Sequence, residues 1–182
     1  MRIKQQGFTL LELLIVLSIL SLLAFIAIPA FNATIEKNRL TTAAEQLYYD
    51  LQYAKTEALK SNQHVYISFS FSPSNWCYGI STNTCDCFAE STCKIDNTDF
   101  VRSGNEYENI DLQQAKFAGG ANYTAFEPTR GRPSAQGMRN GSIWFRDSSN
   151  RQVAVVLNRI GRIRICSPQL DNYPANCPKA PR

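Results

Sequence analysis

Near the C-terminus, three arginines are spaced for anion chemistry. Asn158-Arg159-Ile160-Gly161 reads as the turn of a hairpin joining Val153-Ala154-Val155-Val156-Leu157 to Arg162-Ile163-Arg164-Ile165. Side chains alternate across a strand, so Arg162 and Arg164 share a face about 6.6 Å apart at ~3.3 Å per residue, while Ile163 and Ile165 point into the core. Arg159 projects from the turn beside them. Three guanidinium groups on a rigid edge make a comb for anions, because arginine's planar fork matches phosphate oxygens where lysine offers a point charge. Read without a ligand, the same residues are a solvated face that keeps an exposed sheet edge from pairing. Arg130-Gly131-Arg132, in a Gly/Pro loop, either extends this surface or is merely solvated.

The formal net charge of +4 hides a division within the chain. From Glu36 to Pro128 seven Lys or Arg face twelve Asp or Glu; from Thr129 to Arg182 ten face two, and nine of those ten are arginine. Positive charge is therefore concentrated in the last third. Catalysis finds no support: there is one histidine, His64, no Gly-rich phosphate loop and no nucleophile elbow. The carboxylates from Asp86 to Asp111 read as a solvated loop surface.

Six cysteines, Cys77, Cys85, Cys87, Cys93, Cys166 and Cys177, form an even set. In an oxidising compartment that favours disulfides, with about fifteen full pairings open to six thiols. Cys166 with Cys177 is the expected pair, because it ties the Pro-rich tail to the last strand. Cys85-x-Cys87 with Cys93 is readable as a metal site, but zinc wants a fourth ligand at suitable spacing and His64 lies far upstream. No metal or other cofactor is expected.

Glu12 is the other reactive group in an unusual setting. It is the one charge in the run Phe8 to Ile28, whose 21 residues reach about 31 Å as a helix, the thickness of a bilayer core. A carboxylate there costs about 2.5 to 3.5 kcal/mol at mid-membrane, less near the end, so it snorkels, stays protonated or finds a partner. A secretory signal peptide would have a shorter apolar region and a small-residue cleavage site after it, so the apolar segment stays with the mature protein. Arg2 and Lys4 before the run place the N-terminus in the cytoplasm and the rest of the chain across the membrane.

The elements that position these groups follow from periodicity. Leu40, Ala44, Leu47, Leu51, Ala54 and Ala58 recur in steps of four and three, one apolar stripe on an amphipathic helix that Ser61-Asn62 ends. Glu36, Lys37, Glu45, Asp50, Lys55 and Lys60 are expected mostly off the stripe. From His64 the period becomes two, giving a strand to Phe71, with further strands at 76–80, 111–117, 122–126, 142–146, 152–157 and 162–166. Gly119-Gly120, Asn140-Gly141 and Ser148-Ser149-Asn150 supply turns. Some 150 residues beyond the apolar run suffice for one domain, and no internal repeat is present.

The junction Gly7-Phe8-Thr9-Leu10-Leu11-Glu12, after the short basic leader Met1 to Gly7, resembles the cleavage site of type IV pilins and pseudopilins. The resemblance implies that a prepilin peptidase cuts after Gly7 and methylates Phe8, and that Glu12 pairs with the N-terminal amine of a neighbouring subunit during assembly. It implies an α+β pilin-like lollipop, a long N-terminal helix, membrane-spanning in its first half, on an antiparallel β-sheet head. The divisions are a leader (1–7), an assembly helix (8–29) and a head (30–182) with an amphipathic helix (30–62) and a β-rich part (63–182). Pro29 falls where many members break the helix. Ser142-Ile143-Trp144-Phe145, Val153 to Asn158 and Gly161-Arg162-Ile163-Arg164-Ile165-Cys166 resemble the C-terminal part of GspH/FimT-type minor pilins. In the FimT-like branch a Gly-Arg-x-Arg motif is associated with DNA binding in natural transformation, and here it is Gly161, Arg162, Ile163 and Arg164.

The resemblance thus implies a minor pilin that is anchored in the bacterial inner membrane with its head in the periplasm, and then assembled into an extracellular pilus. Its partners would be duplex DNA, other major and minor pilins and the prepilin peptidase. Aromatic residues are sparse near the arginines, so contacts would go to phosphates, with little sequence preference and steep salt dependence. A minor pilin or pseudopilin that primes pilus or type II secretion assembly, with the arginines meeting a neighbouring subunit, is the structural alternative. A third reading is an adhesin acting through the cysteine-rich loop.

Overall fold

The structure, a computed structural model, describes residues 9–72, 75–134 and 140–180. Gly7 and Phe8, with the rest of the leader, and Arg139 and Arg182 lie outside them. The chain divides into two units, Met1–Ile35 and Glu36–Arg182. One helix, α1 (Leu10–Ser61), contains 52 residues and continues through Pro29, where the sequence had suggested a break.

The first unit begins at a capped helix end. Thr9 Oγ1 accepts the Glu12 backbone N–H at 3.2 Å, and Thr9 O accepts that of Leu13. The first satisfies one of the donors a helix leaves open at its first turn, as the Thr-x-x-Glu spacing allows, and the second is the first intrahelical bond. Every side chain described from Thr9 to Phe25 is exposed, including Glu12, Ser18, Ser21 and most of the leucines and isoleucines of the apolar run. An apolar surface of this extent marks contact with lipid or with other protein. Among the described residues no helix is long and apolar enough to cross a membrane. The apolar run in the sequence starts at Phe8 and ends at Ile28, beyond the described side chains on both sides.

In the second unit the expected stripe is buried: Leu40, Ala44, Leu47, Leu51, Ala54 and Ala58, joined by Ala43, have almost no exposed surface. They form one core cluster with residues of two antiparallel sheets of four strands each. The first runs β5 (Val101–Ser103), β2 (Asn75–Ser81), β1 (Val65–Ser72), β7 (Tyr123–Phe126). The second runs β10 (Ile163–Cys166), β9 (Gln152–Leu157), β8 (Gly141–Asp147), β6 (Ile110–Phe117). Alternation supplies the core faces: Val65, Ile67 and Phe69 from β1, Ile143 and Phe145 from β8, Val153, Val155 and Leu157 from β9. Between β2 and β5 in sequence, β3 (Lys94–Ile95) and β4 (Thr98–Asp99) form a small hairpin.

Asp50 departs from the expectation that the helix charges stay off the stripe. It is 5% exposed and accepts hydrogen bonds from Tyr78 Oη at 2.8 Å, Arg102 Nε at 3.3 Å and Gln46 Nε2 at 3.1 Å. Asp50 lies three residues after Leu47 and four before Ala54, close enough in angle to be drawn under the sheet. Burial, and then the charge of Asp50, push the Tyr78 phenol well above its ordinary value, so it remains a donor.

All six cysteines are bonded: Cys77 to Cys87, Cys85 to Cys93, and Cys166 to Cys177. The thiols of the cysteine-rich segment are thus used up, which removes the three-thiolate metal arrangement. Beyond Cys166 the tail is also fastened by Tyr173 Oη, which donates to Glu45 Oε1 at 2.6 Å.

Candidate nucleic-acid interface

The hairpin between β9 and β10 is built as its sequence reads, with one change. Gly161 N–H donates to Asn158 O and Asn158 N–H to Arg162 O, both at 3.1 Å, and Gly161 takes φ +79°. This is a turn followed by a left-handed residue that completes a three-residue hairpin loop. The Asn158 side chain fixes it: Oδ1 accepts the backbone N–H groups of Ile160 at 3.1 Å and Arg162 at 2.9 Å. Arg159 and Arg162 are exposed, and Ile160 between them is 68% exposed.

Arg162 lies one residue before β10 rather than inside it, so backbone contacts to Asn158, not the ladder, hold it. Ile163 is buried opposite Leu157, as expected, whereas Ile165 is half-buried. Arg164 is not a free tooth of the comb. It is half-buried, and its Nη1 donates to Asn176 O at 2.6 Å, because the Cys166–Cys177 bond folds the tail back beside it.

What the sequence left open is whether Arg130 and Arg132 reach this turn. Loop 127–132 is closed by Glu127 N–H to Arg132 O at 2.9 Å and by Gly131 N–H to Glu127 O at 3.1 Å. Its Gly131 lies directly against Gly161: a Cβ on Gly161 would stand 2.5 Å from Gly131 O and 3.4 Å from the Arg132 Cα. The two loops touch backbone to backbone, with room for no side chain between them.

Lys55, missed in the sequence, joins them to the helix. Its Nζ donates to Gly161 O at 3.1 Å, and its stem lies along Gly131. Three segments distant in sequence thus meet, and Arg130, Arg132, Arg159 and Arg162 are all exposed where they do. Glu127, half-buried, is the carboxylate at the base of the second loop. No sequence pattern marks Lys55, because its role depends on a contact across more than a hundred residues.

Arg151, another arginine of the basic third, is engaged elsewhere. Arg151 Nε donates to the buried Asp147 Oδ2 at 2.6 Å, and its Nη2 stands 3.8 Å from Glu36. Among the described residues no group of three or more His, Cys, Asp or Glu side chains could hold a metal ion.

Comparison with known families settles the class of protein. The model described as type II transport protein GspH matches residues 43–161, well over half of the chain. The chain belongs to the GspH family. A second model, the prokaryotic N-terminal methylation motif, matches residues 2–28. A GspH-family chain with this motif is a minor pilin or pseudopilin, and the motif implies prepilin peptidase processing and partnership with other pilins. The GspH match ends at Gly161, so Arg162 and Arg164 fall just beyond it.

No curated protein matches the chain. Among solved structures, the type IV minor pilin FimU of Pseudomonas aeruginosa PAO1 is similar in two crystal forms. One form is 17% identical, with a TM-score of 0.48, covering 71% of this chain and 98% of FimU. The other is 18% identical, with a TM-score of 0.49, covering 74% and 96%. The minor pseudopilin EpsH from the Type 2 Secretion System of Vibrio cholerae is 13% identical, with a TM-score of 0.47, covering 72% of this chain and 99% of EpsH.

Proposed function

We propose that this GspH-family chain is a minor type IV pilin whose basic edge captures extracellular duplex DNA for uptake in natural transformation. The observation that carries the reading is the backbone contact of Gly131 with Gly161, which fixes two arginine pairs, Arg130 with Arg132 and Arg159 with Arg162, on one exposed surface. Guanidinium groups held on tight loops suit phosphate oxygens, and such contacts carry little sequence information. A few phosphate contacts give a Kd of about 10⁻⁴ to 10⁻⁶ M at physiological salt, so several copies along a pilus would act together.

The test is a salt titration of duplex binding to the head, Glu36–Arg182. Among the described residues the buried apolar core runs from Leu40 to Leu170, within this piece. The Arg159→Gln/Arg162→Gln variant is expected to bind every duplex sequence more weakly, with a slope of log K against log salt smaller by about 1.8, two phosphate contacts at ~0.9 each. An unchanged slope, or a loss confined to some sequences, overturns the assignment. No binding by the unaltered head leaves the structural alternative, a subunit that primes pilus or type II secretion assembly.

Under either reading the first unit serves anchoring and assembly. Cleavage after Gly7 frees the Phe8 amine, and the exposed Glu12 carboxylate on an otherwise apolar helix surface is the partner for such an amine on a neighbouring subunit. In lipid an unpaired carboxylate is costly, and an amine partner offsets part of that cost. Glu12→Ala is expected to leave the inner-membrane pool of processed protein intact while lowering its recovery in sheared filaments at least severalfold. Equal recovery would remove Glu12 from assembly.

A further inference from the structure

The outer face of the second sheet carries a groove of about 530 Å³ that the arginine turn does not account for. Its floor is set by strand register: Lys116 of β6 pairs with Ser142 of β8 and Ser142 with Val156 of β9, and Arg164 of β10, paired with Val156, continues the line beyond the lining. Those four form one row across the sheet, on the face opposite the buried Ile143, Val155 and Ile163. Neighbouring strands lie about 4.8 Å apart, so the row spans about 14 Å. The far wall is the tail at Pro178, Lys179 and Ala180.

That wall is held in place. The Cys166–Cys177 bond, the hydrogen bond from Arg164 to Asn176 O and the packing of Ala180 against the cluster of Trp144, Ala154 and Cys166 fix the chain on both sides of Lys179. Lys116 and Lys179 are exposed, and the described lining contains no Asp or Glu. The groove opens at Asn158, the residue whose side chain holds the Arg159–Arg162 turn. Basic charge thus continues from the turn into the groove without an acidic interruption in its lining.

We infer that this groove is the second half of a DNA footprint, in which Lys116 and Lys179 take the sugar-phosphate backbone of the duplex whose adjoining phosphates meet the arginine turn. The inference rests on the DNA-binding reading and adds the direction in which the duplex runs: across the outer face of the second sheet. The groove borders the turn at Asn158, so both can meet neighbouring phosphates of one duplex. Ser142 and Asn158 supply neutral hydrogen-bonding groups between the charges, suited to phosphate and sugar oxygens and indifferent to base identity.

Two measurements on the head test this. The Lys116→Gln/Lys179→Gln variant, altered only at exposed positions, is expected to bind duplex DNA roughly tenfold more weakly, with a salt slope smaller by about 1.8. Independently, bound duplex is expected to protect Lys116 and Lys179 from acylation, read by mass spectrometry, while Lys94 in β3 stays reactive. If the unaltered head binds DNA and the arginine variant weakens it, but the lysine variant matches the unaltered head and neither lysine is protected, the groove inference fails and the arginine reading stands. If the unaltered head binds no duplex, both fail. Equal protection of Lys94 also overturns the groove, since it would show diffuse rather than directed contact.

Discussion

Replacing Asp50 by alanine is expected to lower the unfolding free energy of the head by about 2 to 4 kcal/mol. The carboxylate accepts the hydrogen bond of the Tyr78 hydroxyl, which is 1% exposed, and it also receives Arg102 and Gln46. Its removal strands a buried hydroxyl, at about 1 to 3 kcal/mol. The Arg102 side chain is about a third exposed, so its charge can turn to solvent and adds less than the loss from a fully buried pair. Asp50→Asn keeps an acceptor for Tyr78 and should lose under half as much. Denaturant unfolding with unchanged m-value is the measurement. A loss below about 0.5 kcal/mol for the alanine variant would show that this buried cluster is not what secures the helix to the first sheet.

Gly161→Ala is expected to abolish most DNA binding although every arginine remains. A non-glycine residue at φ +79° costs about 1 to 2 kcal/mol, and the added Cβ would stand 2.5 Å from a backbone carbonyl that has no side-chain freedom with which to yield. Relief requires the turn and loop 127–132 to separate, which splits the two arginine pairs. We therefore expect an affinity loss at least equal to that of Arg159→Gln/Arg162→Gln, with the head still folded by circular dichroism. Full affinity in this variant would mean that the pairs act separately and that their juxtaposition is incidental.

Most of the second unit was legible because its signals are local and repeated. The stripe from Leu40 to Ala58 is a period, and all six positions named from it are buried. The seven longer strands announce themselves by alternation and by the turn residues between them. The strands β3, β4 and β5 were missed because two or three residues show no period. Asp96-Asn97, both with positive φ, was nevertheless a readable turn signal between β3 and β4. Asp50 was misplaced by treating the stripe as a line, when a buried helix face is wide enough to include a flanking carboxylate if partners await it.

The candidate site divides the same way. The hairpin and the exposure of Arg159 and Arg162 follow from Asn158 and Gly161, residues a few positions apart. The capture of Arg164 by Asn176 depends on where a disulfide lays the tail, and the convergence of Lys55, Gly131 and Gly161 depends on the packing of the whole domain. Neither leaves a trace in residue spacing.

The three cystine bridges join residues only 10, 8 and 11 positions apart. Closing such short loops costs little chain entropy, so the thiols meet without waiting for β1 to find β7 across the domain. In the proposed anchored topology the head would cross the membrane in order from Glu36 towards Arg182, and each bridge could close almost as its segment emerges. Order still matters in one place: Cys85 lies within the loop that Cys77 and Cys87 close, and its own partner Cys93 arrives last. The kinetic hazard of oxidation is thus confined to the first four cysteines, and the bond that lays the tail beside Arg164 forms from the last two thiols to be delivered.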